Sequence, residues 1–143
     1  MSSIESDEVT FAGLGEPLLR ADTLCEAMSH IKAKRHGVPI RVKSNGLFPS
    51  KTTPRLIFNL KEAGLDHLTV HLASDNPAQY MRIMQPTNGT TFDDACAFII
   101  AAVDADIPVT CTAVEQPEVS ISGVRALAES LGAVHFRSYK YFP

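Results

Sequence analysis

Residues 67–72, HLTVHL, alternate polar and apolar side chains without a break. Successive side chains of a β-strand point to opposite faces of the sheet. The three apolar side chains therefore fall on one face, and His67, Thr69 and His71 fall on the other. The segment predicts a strand with one apolar face and one polar face, and the rest of the chain can be compared with it.

Four other segments are strand-like, and helical segments lie between them. Strands are predicted at residues 9–12, 38–43, 67–72, 109–114 and 134–139. Helices are predicted at residues 21–36, 52–63, 77–84, 92–105 and 120–131. The second helix has the clearest boundaries, because Thr53 precedes Pro54 at its start and Gly64 follows its end.

Strands that alternate with helices of this length predict βαβ units on a parallel sheet. Right-handed crossovers place all helices on one side of the sheet if it curls. We therefore expect an α/β fold, an incomplete (β/α) barrel or half-barrel with a parallel sheet of about five strands and helices on its outer face. At 143 residues the chain is expected to form a single domain over residues 9–143 after a polar tail at residues 1–8.

Period-two alternation divides the strand residues into two sets. The set expected to face the helices is Val42, Leu68, Val70, Leu72, Val109, Cys111, Val134 and Phe136. The set expected on the opposite, inner face is Thr10, Arg41, Lys43, His67, Thr69, His71, Thr110, Thr112, His135 and Arg137. The inner face thus holds three fixed cations and three imidazoles, although the net charge of the chain is −3.

This polar face has two interpretations. It is either covered by solvent or a second subunit, or it is the concave interior of an incomplete barrel that receives a polar or anionic ligand. In the second case the ligand-binding candidates are Arg41, Lys43, His71 and Arg137. Arginine suits this role because its guanidinium binds carboxylate and phosphate groups bidentately. Two histidines without a third ligand are a weak metal signal, and no metal site is expected.

Composition excludes several classes of partner. A chain with net charge −3 has no general attraction for nucleic acid or acidic membranes, so neither is expected as a partner. The longest apolar run, at residues 96–103, is too short to cross a bilayer. The first residues are acidic and polar and do not resemble a targeting peptide. The expectation is a soluble, cytoplasmic protein.

Three cysteines, Cys25, Cys96 and Cys111, are widely and irregularly spaced. Such a set predicts neither a disulfide framework nor a local metal-binding knuckle. The expectation is three reduced thiols that behave as small apolar residues.

The turn AGLGEP, residues 12–17, follows the first strand. Glycine allows a backbone to approach a ligand closely, and proline suits the start of a helix. A dinucleotide-binding turn would need a third glycine, and a Walker loop would need a Gly-Lys-Ser/Thr sequence. Taken alone, the turn indicates only a tight strand-to-helix connection.

Similar short motifs follow the next two predicted strands. Gly13-Leu14-Gly15-Glu16-Pro17 after one strand, Ser44-Asn45-Gly46 after the next and a third strand that ends at Leu72 together resemble the radical S-adenosylmethionine (SAM) superfamily. The similarity extends from Val9 to about Tyr139. Residues 80–82, 86–89 and 136–139 are similar to a branch that includes the TatD-associated radical SAM proteins.

The resemblance implies a cofactor site at the ends of these strands. Gly15, Glu16 and Pro17 correspond to the positions where the family meets the methionyl amino group of SAM. The complete set of cofactor-binding candidates implied by the resemblance is Gly13, Gly15, Glu16, Pro17, Asn45, Gly46, Thr112 and Val114. SAM is therefore a possible cofactor.

Two departures from the family weaken this implication. The third strand usually ends in Ser-Leu-Asn or similar, but here it ends in His71-Leu72-Ala73. Family members also hold a 4Fe–4S cluster with Cys-x3-Cys-x2-Cys, a spacing that this sequence lacks. The chain begins where the second strand of the family begins, so the first strand and the cluster loop are expected to be missing. No 4Fe–4S cluster is expected in this chain.

Three functional hypotheses follow. The first is a truncated or degenerate radical-SAM-like domain, not catalytic alone, that binds a small polar or anionic ligand or a partner on its polar face. The second is a fragment of a working radical enzyme whose iron–sulfur segment is missing. The third is a cluster-free enzyme acting on a phosphorylated small molecule, with Glu16 and His71 as acid and base. Without a preceding strand, the first strand has an exposed edge, which favours a homodimer.

Overall fold

The computed structural model describes residues 8–12 and 16–141 of the chain. Five strands form one sheet in the order β1-β2-β3-β4-β5, and each neighbouring pair is parallel. The strands are β1 (Val9–Phe11), β2 (Ile40–Ser44), β3 (His67–His71), β4 (Val109–Glu115) and β5 (His135–Lys140). The sheet is open between β5 and β1, which confirms the predicted α/β half-barrel.

Helices connect each strand to the next. They are α1 (Ala21–Lys34), α2 (Thr53–Glu62), α3 (Pro77–Met84), α4 (Phe92–Asp104) and α5 (Ile121–Leu131). All five were predicted, and their ends differ from the predicted ends by at most two residues. A short 3₁₀ helix at Pro17–Arg20, which the sequence pattern did not predict, leads into α1.

Local sequence explains where these helices begin. The side chain of Asn76 accepts a hydrogen bond from the backbone amide of Gln79 at 2.8 Å, and Pro77 occupies the first turn of α3. Thr91 and Asp94 form a reciprocal capping box at the start of α4. Such caps satisfy backbone amides that have no partner within the helix.

An apolar layer between the sheet and the helices forms the core. The strands contribute fully buried side chains, among them Val42, Leu68, Val70, Val109 and Cys111. The helices contribute others, among them Met28, Leu60, Phe98, Ile99 and Val124. These strand residues are all members of the set expected to face the helices.

The last strand joins this layer only partly. Phe136 is half-buried, and the guanidinium of Arg125 lies 4.9 Å from the centre of its ring. Val134 precedes β5 and is 57% exposed, so it contributes nothing to the buried layer. The alternation pattern placed it on the helix side, but edge strands are covered incompletely because nothing packs beyond them.

Within residues 8–12 and 16–141, every helix is too short or too polar to cross a membrane.

Candidate functional site on the polar face of the sheet

Strand register aligns polar side chains across the inner face. Lys43 pairs with Thr69 on the next strand, and Thr69 pairs in turn with Thr110. Further along, Thr112 pairs with Arg137. Because neighbouring strands lie about 4.8 Å apart, these side chains form a continuous polar surface.

A cavity of about 220 Å³ opens on this surface. Its lining residues are Glu8, Thr10, Arg41, Lys43, Thr69, Thr110, Thr112, Arg137 and Tyr139. Alternation assigned ten residues to the inner face, and seven of them line this cavity. The other three, which are all histidines, do not. We call this cavity with its lining residues the polar cavity.

Arg41 is held at one side of the polar cavity by two contacts. Its Nε donates a hydrogen bond to Oε1 of Glu8 at 3.1 Å, and its Nη1 donates to Oγ1 of Thr69 at 2.9 Å. The hydroxyl of Thr10 also donates to Oε1 of Glu8, at 3.5 Å. The guanidinium is therefore already oriented, and its Nε donor is occupied by the Glu8 carboxylate.

The other two cations are less constrained. Neither Lys43 nor Arg137 forms a side-chain hydrogen bond or a salt bridge with another residue in the described part of the chain. Both line the polar cavity. Two cations and several hydroxyl groups around one small concave space form an arrangement that can bind an anion.

Two histidines next to the polar cavity, His67 and His71, have lowered pKa values. Burial, followed by the nearby Arg41 charge, lowers the pKa of His67, and Glu8 opposes this shift only in part. Nε2 of His67 lies 2.7 Å from Oγ1 of Thr110 and fixes that hydroxyl. Burial lowers the pKa of His71 as well, against a weaker interaction with the backbone of Thr112. His71 does not line the polar cavity, so the predicted ligand set divides into three cations and one neutral imidazole.

A second group of predicted site residues lies where β1 and β2 end. Oε1 of Glu16 accepts a hydrogen bond from the backbone amide of Asn45 at 2.7 Å, and Oε2 accepts one from that of Leu18 at 3.1 Å. In the described residues Glu16 forms no hydrogen bond with His71, its partner in the predicted acid–base pair. Gly13 and Gly15 lie outside the described residues.

The turn after β2 satisfies its own polar groups. The amide of Gly46 donates to Oγ of Ser44 at 3.0 Å, and the amide of Leu47 donates to Oδ1 of Asn45 at 2.9 Å. Gly46 has φ +71°, and a Cβ there would lie 3.2 Å from both Phe98 and Val70. Packing and backbone conformation are therefore enough to require glycine here.

The remaining cofactor candidates are distributed over different surfaces. Pro17 begins the 3₁₀ helix and lines an apolar groove of about 490 Å³ beside β1, together with Phe11 and Leu19. Thr112 lines the polar cavity, and Val114 pairs with Tyr139. The structure thus brings Glu16 and Asn45 into contact but places Thr112 and Val114 two strands away, on β4.

The cysteines do not fit an iron–sulfur cluster. Cys25 and Cys96 are half-buried on α1 and α4, and Cys111 is buried in β4. Burial raises the pKa of Cys96 to about 11 and that of Cys111 to about 12, which disfavours the thiolates that a cluster needs. Residues 8–12 and 16–141 contain no group of three or more His, Cys, Asp or Glu side chains placed to hold a metal ion.

Sequence reasoning missed two residues of the polar cavity. Glu8 was assigned to the polar tail, and Tyr139 to no site, yet both line the cavity. The signal was available, because Glu8 precedes Thr10 by two residues and Tyr139 follows Arg137 by two. Following the alternation to residue 139, the end of the predicted fifth strand, and to residue 8, just before the predicted first strand, would have placed both on the inner face.

Comparison with known protein families identifies the superfamily to which the chain belongs. Residues 4–131 match the family model described as the radical SAM superfamily. The chain belongs to the radical SAM superfamily. No curated protein sequence matches it.

Solved structures show the same fold at low sequence identity. Methylornithine synthase (PylB) matches with a TM-score of 0.66 and 16% identity, over 88% of this chain and 36% of that one. The HMG-CoA lyase from Brucella melitensis matches with a TM-score of 0.56 and 17% identity, over 90% of this chain and 45% of that one. This radical SAM chain therefore spans less than half the length of either structure.

Proposed function

We propose that this radical SAM domain binds a small anionic ligand in the polar cavity and does not catalyse radical chemistry by itself. The observation that carries the proposal is the convergence of Arg41, Lys43 and Arg137 on one cavity in a chain of net negative charge. Arg41 is half-buried, and Lys43 and Arg137 are exposed. Cations that surround one small concave space repel one another, and an anion between them turns this repulsion into attraction. The lack of radical chemistry rests on the cysteines, which do not fit a cluster.

The volume of the polar cavity limits the size of the ligand that it can hold. Drug-sized molecules occupy sites of about 300–1,000 Å³, and the polar cavity has about 220 Å³. This favours a metabolite-sized anion over a whole nucleoside cofactor. SAM would have to extend beyond the polar cavity, toward the turns at Glu16 and Asn45.

Thermal unfolding with increasing inorganic phosphate tests the proposal. A ligand that binds only the folded state raises the melting temperature in proportion to the logarithm of its concentration once sites are occupied. The Lys43→Met and Arg137→Met variants should lose most of this rise. Lys51→Met and Arg55→Met remove the same charges from exposed positions away from the sheet and are the matched controls.

The two pairs of variants separate specific binding from general charge effects. If all four variants respond to phosphate as the wild-type protein does, the polar cavity is not an anion site. If the wild-type protein shows no rise with phosphate, the proposed function is wrong. Sodium chloride at equal ionic strength controls for charge screening. The general stabilisation by phosphate, which is excluded from protein surfaces, is shared by wild type and all four variants, so only a loss confined to Lys43→Met and Arg137→Met reports the site.

A second candidate function is that the chain is one part of a radical enzyme. The observation that favours it is coverage of only 36% of the methylornithine synthase structure, which leaves room for a cluster-binding segment elsewhere. Anaerobic incubation with iron and sulfide tests it. This chain alone should acquire no iron–sulfur absorption, and a stable cluster would overturn the assignment of its cysteines.

We also propose that the chain associates with a second copy and works in a reducing compartment such as the cytoplasm. The short β1 is an edge strand next to the apolar groove, where Leu19 is 72% exposed, and such edges recruit further chains. Sedimentation equilibrium of wild-type protein and Leu19→Glu should show a dimer that the variant weakens, and a monomeric wild-type protein would disprove self-association.

The proposed compartment rests on the cysteines. The three free cysteines suit a reducing compartment.

A further inference from the structure

The polar cavity contains one carboxylate among its cations. Glu8 lines the cavity and holds Arg41 through the 3.1 Å contact with Nε. The side chain of Glu8 is 43% exposed, whereas that of Arg41 is 22% exposed. The carboxylate is therefore the more accessible partner and can move away while the guanidinium stays in place.

We propose that Glu8 occupies part of the anion site, and that the ligand is a small tetrahedral dianion which displaces Glu8 from Arg41. This inference rests on the proposed function, since it assumes that the polar cavity binds an anion. It adds the charge and shape of that anion and assigns Glu8 the role of an internal competitor.

The charges that line the polar cavity favour a ligand with two negative charges. Three fixed cations and one carboxylate line the cavity, which leaves two positive charges to be balanced. His67, immediately outside the lining, adds no charge because its pKa is lowered. Glu8 leaves Arg41 when the ligand binds, but the backbone keeps it near the cavity, so its charge still counts. A dianion then balances the two remaining positive charges, whereas a monoanion balances only one of them.

The donors favour a tetrahedral group. The hydroxyl of Thr69 accepts from Arg41, so its own hydrogen is available for a ligand oxygen. Thr69 and Thr110 are almost fully buried at the floor of the cavity, while Lys43 and Arg137 project from β2 and β5. These donors approach the cavity from below and from separate strands. Such directions match the tetrahedrally arranged oxygens of phosphate or sulfate better than the two coplanar oxygens of a carboxylate.

Displacement of Glu8 would free the donor that it occupies. Nη1 of Arg41 stays hydrogen-bonded to Thr69, which keeps the guanidinium oriented when the carboxylate leaves. The ligand then gains a preorganised donor at Nε, although the displaced Glu8 charge still repels it from nearby. Removal of that charge alone should therefore strengthen binding.

Isothermal titration with sulfate, which stays a dianion throughout the neutral range, tests the inference in the full chain. Glu8→Gln should bind sulfate about tenfold more tightly, the size expected for one unit charge acting on a dianion a few ångströms away at high dielectric constant. Glu62→Gln, which removes an exposed carboxylate on α2, is the control and should bind like wild type. Nitrate, a monoanion, should bind the wild-type protein more weakly than sulfate.

The double variant identifies the partner of Glu8. If Glu8 acts through Arg41, the gain from Glu8→Gln should be largely lost in an Arg41→Met background, which a double-mutant cycle measures. A Glu8→Gln affinity equal to or weaker than that of Glu62→Gln would overturn the competitor role, because Glu8 would then be neutral or a ligand contact. Equal binding of nitrate and sulfate would overturn the dianion. If wild type and all variants bind neither sulfate nor phosphate, the proposed function itself fails.

Discussion

The carboxylate of Glu16 accepts a hydrogen bond from the backbone amide of Asn45 at 2.7 Å and thereby joins the end of β1 to the end of β2. Its second oxygen caps the 3₁₀ helix through the amide of Leu18. The acid that the family resemblance assigns to cofactor binding thus also has a structural role. The structural role can be measured separately from the proposed cofactor binding, because only the structural role affects the stability of the protein without ligand.

Glu16→Ala should lower the free energy of unfolding by about 1.5–3 kcal/mol, the range for hydrogen bonds to a charged group. Urea denaturation measures this change. Glu26→Ala on the exposed side of α1 removes the same side chain without such contacts and should change stability by less than about 0.5 kcal/mol. Equal stability of the two variants would show that the backbone contacts of Glu16 contribute nothing.

Gly46→Ala should destabilise the protein more than Gly37→Ala. Both glycines have positive φ, +71° and +82°, so each alanine carries a backbone penalty of about 1–2 kcal/mol. At Gly46 the new Cβ would also lie 3.2 Å from Phe98 and Val70, whereas at Gly37 it meets nothing within 4 Å. The difference between the two, measured by urea denaturation, isolates overpacking and should reach about 1–3 kcal/mol. Equal losses would mean that the core beneath Gly46 adjusts freely.

Tyr80→Phe should leave stability unchanged or raise it. Tyr80 is fully buried with its ring edge-on to Phe92, and its hydroxyl has no hydrogen-bond partner among residues 8–12 and 16–141. Burial raises the pKa of this hydroxyl, as expected for a group that stays neutral. A buried unpaired polar group is unfavourable by about 1–3 kcal/mol, so removal of the hydroxyl should raise the free energy of unfolding by up to about that amount.

Thermal denaturation of Tyr80→Phe beside Tyr139→Phe, which alters an exposed ring, measures the effect. A loss of more than about 1 kcal/mol for Tyr80→Phe alone would mean that the hydroxyl is hydrogen-bonded to a buried water.

The strands and helices could be predicted because one face of each strand is apolar. Leu68 and Val70 alternate with Thr69 in the sequence, and the structure buries the two apolar residues against the helices. The contacts within the site could not be predicted in the same way. The Glu8–Arg41 contact joins the residue before β1 to β2, and the Glu16–Asn45 contact joins the segments that follow these two strands. Both depend on the pairing register of β1 and β2, which alternation alone does not define.

The protonation state of His71 also could not be predicted from the sequence. Alternation placed it among the cations, but its pKa depends on burial, which only the packed structure provides. A lowered pKa in the folded state means that the unfolded chain binds a proton more readily, so stability decreases as the pH falls. The contribution is fully present above about pH 6.5, the unfolded value, and decreases as the pH falls from there toward the folded pKa.

His71→Gln should therefore reduce the loss of stability between neutral and mildly acidic pH. Urea denaturation at several pH values on both sides of the unfolded histidine pKa measures the slope. His67→Gln should also reduce the slope, since burial lowers that pKa too, and His30→Gln, on the exposed side of α1, is the matched control. An unchanged slope in His71→Gln would show that His71 titrates in the folded protein as it does in the unfolded chain. His71 would then be able to act as a cation beside the polar cavity at mildly acidic pH.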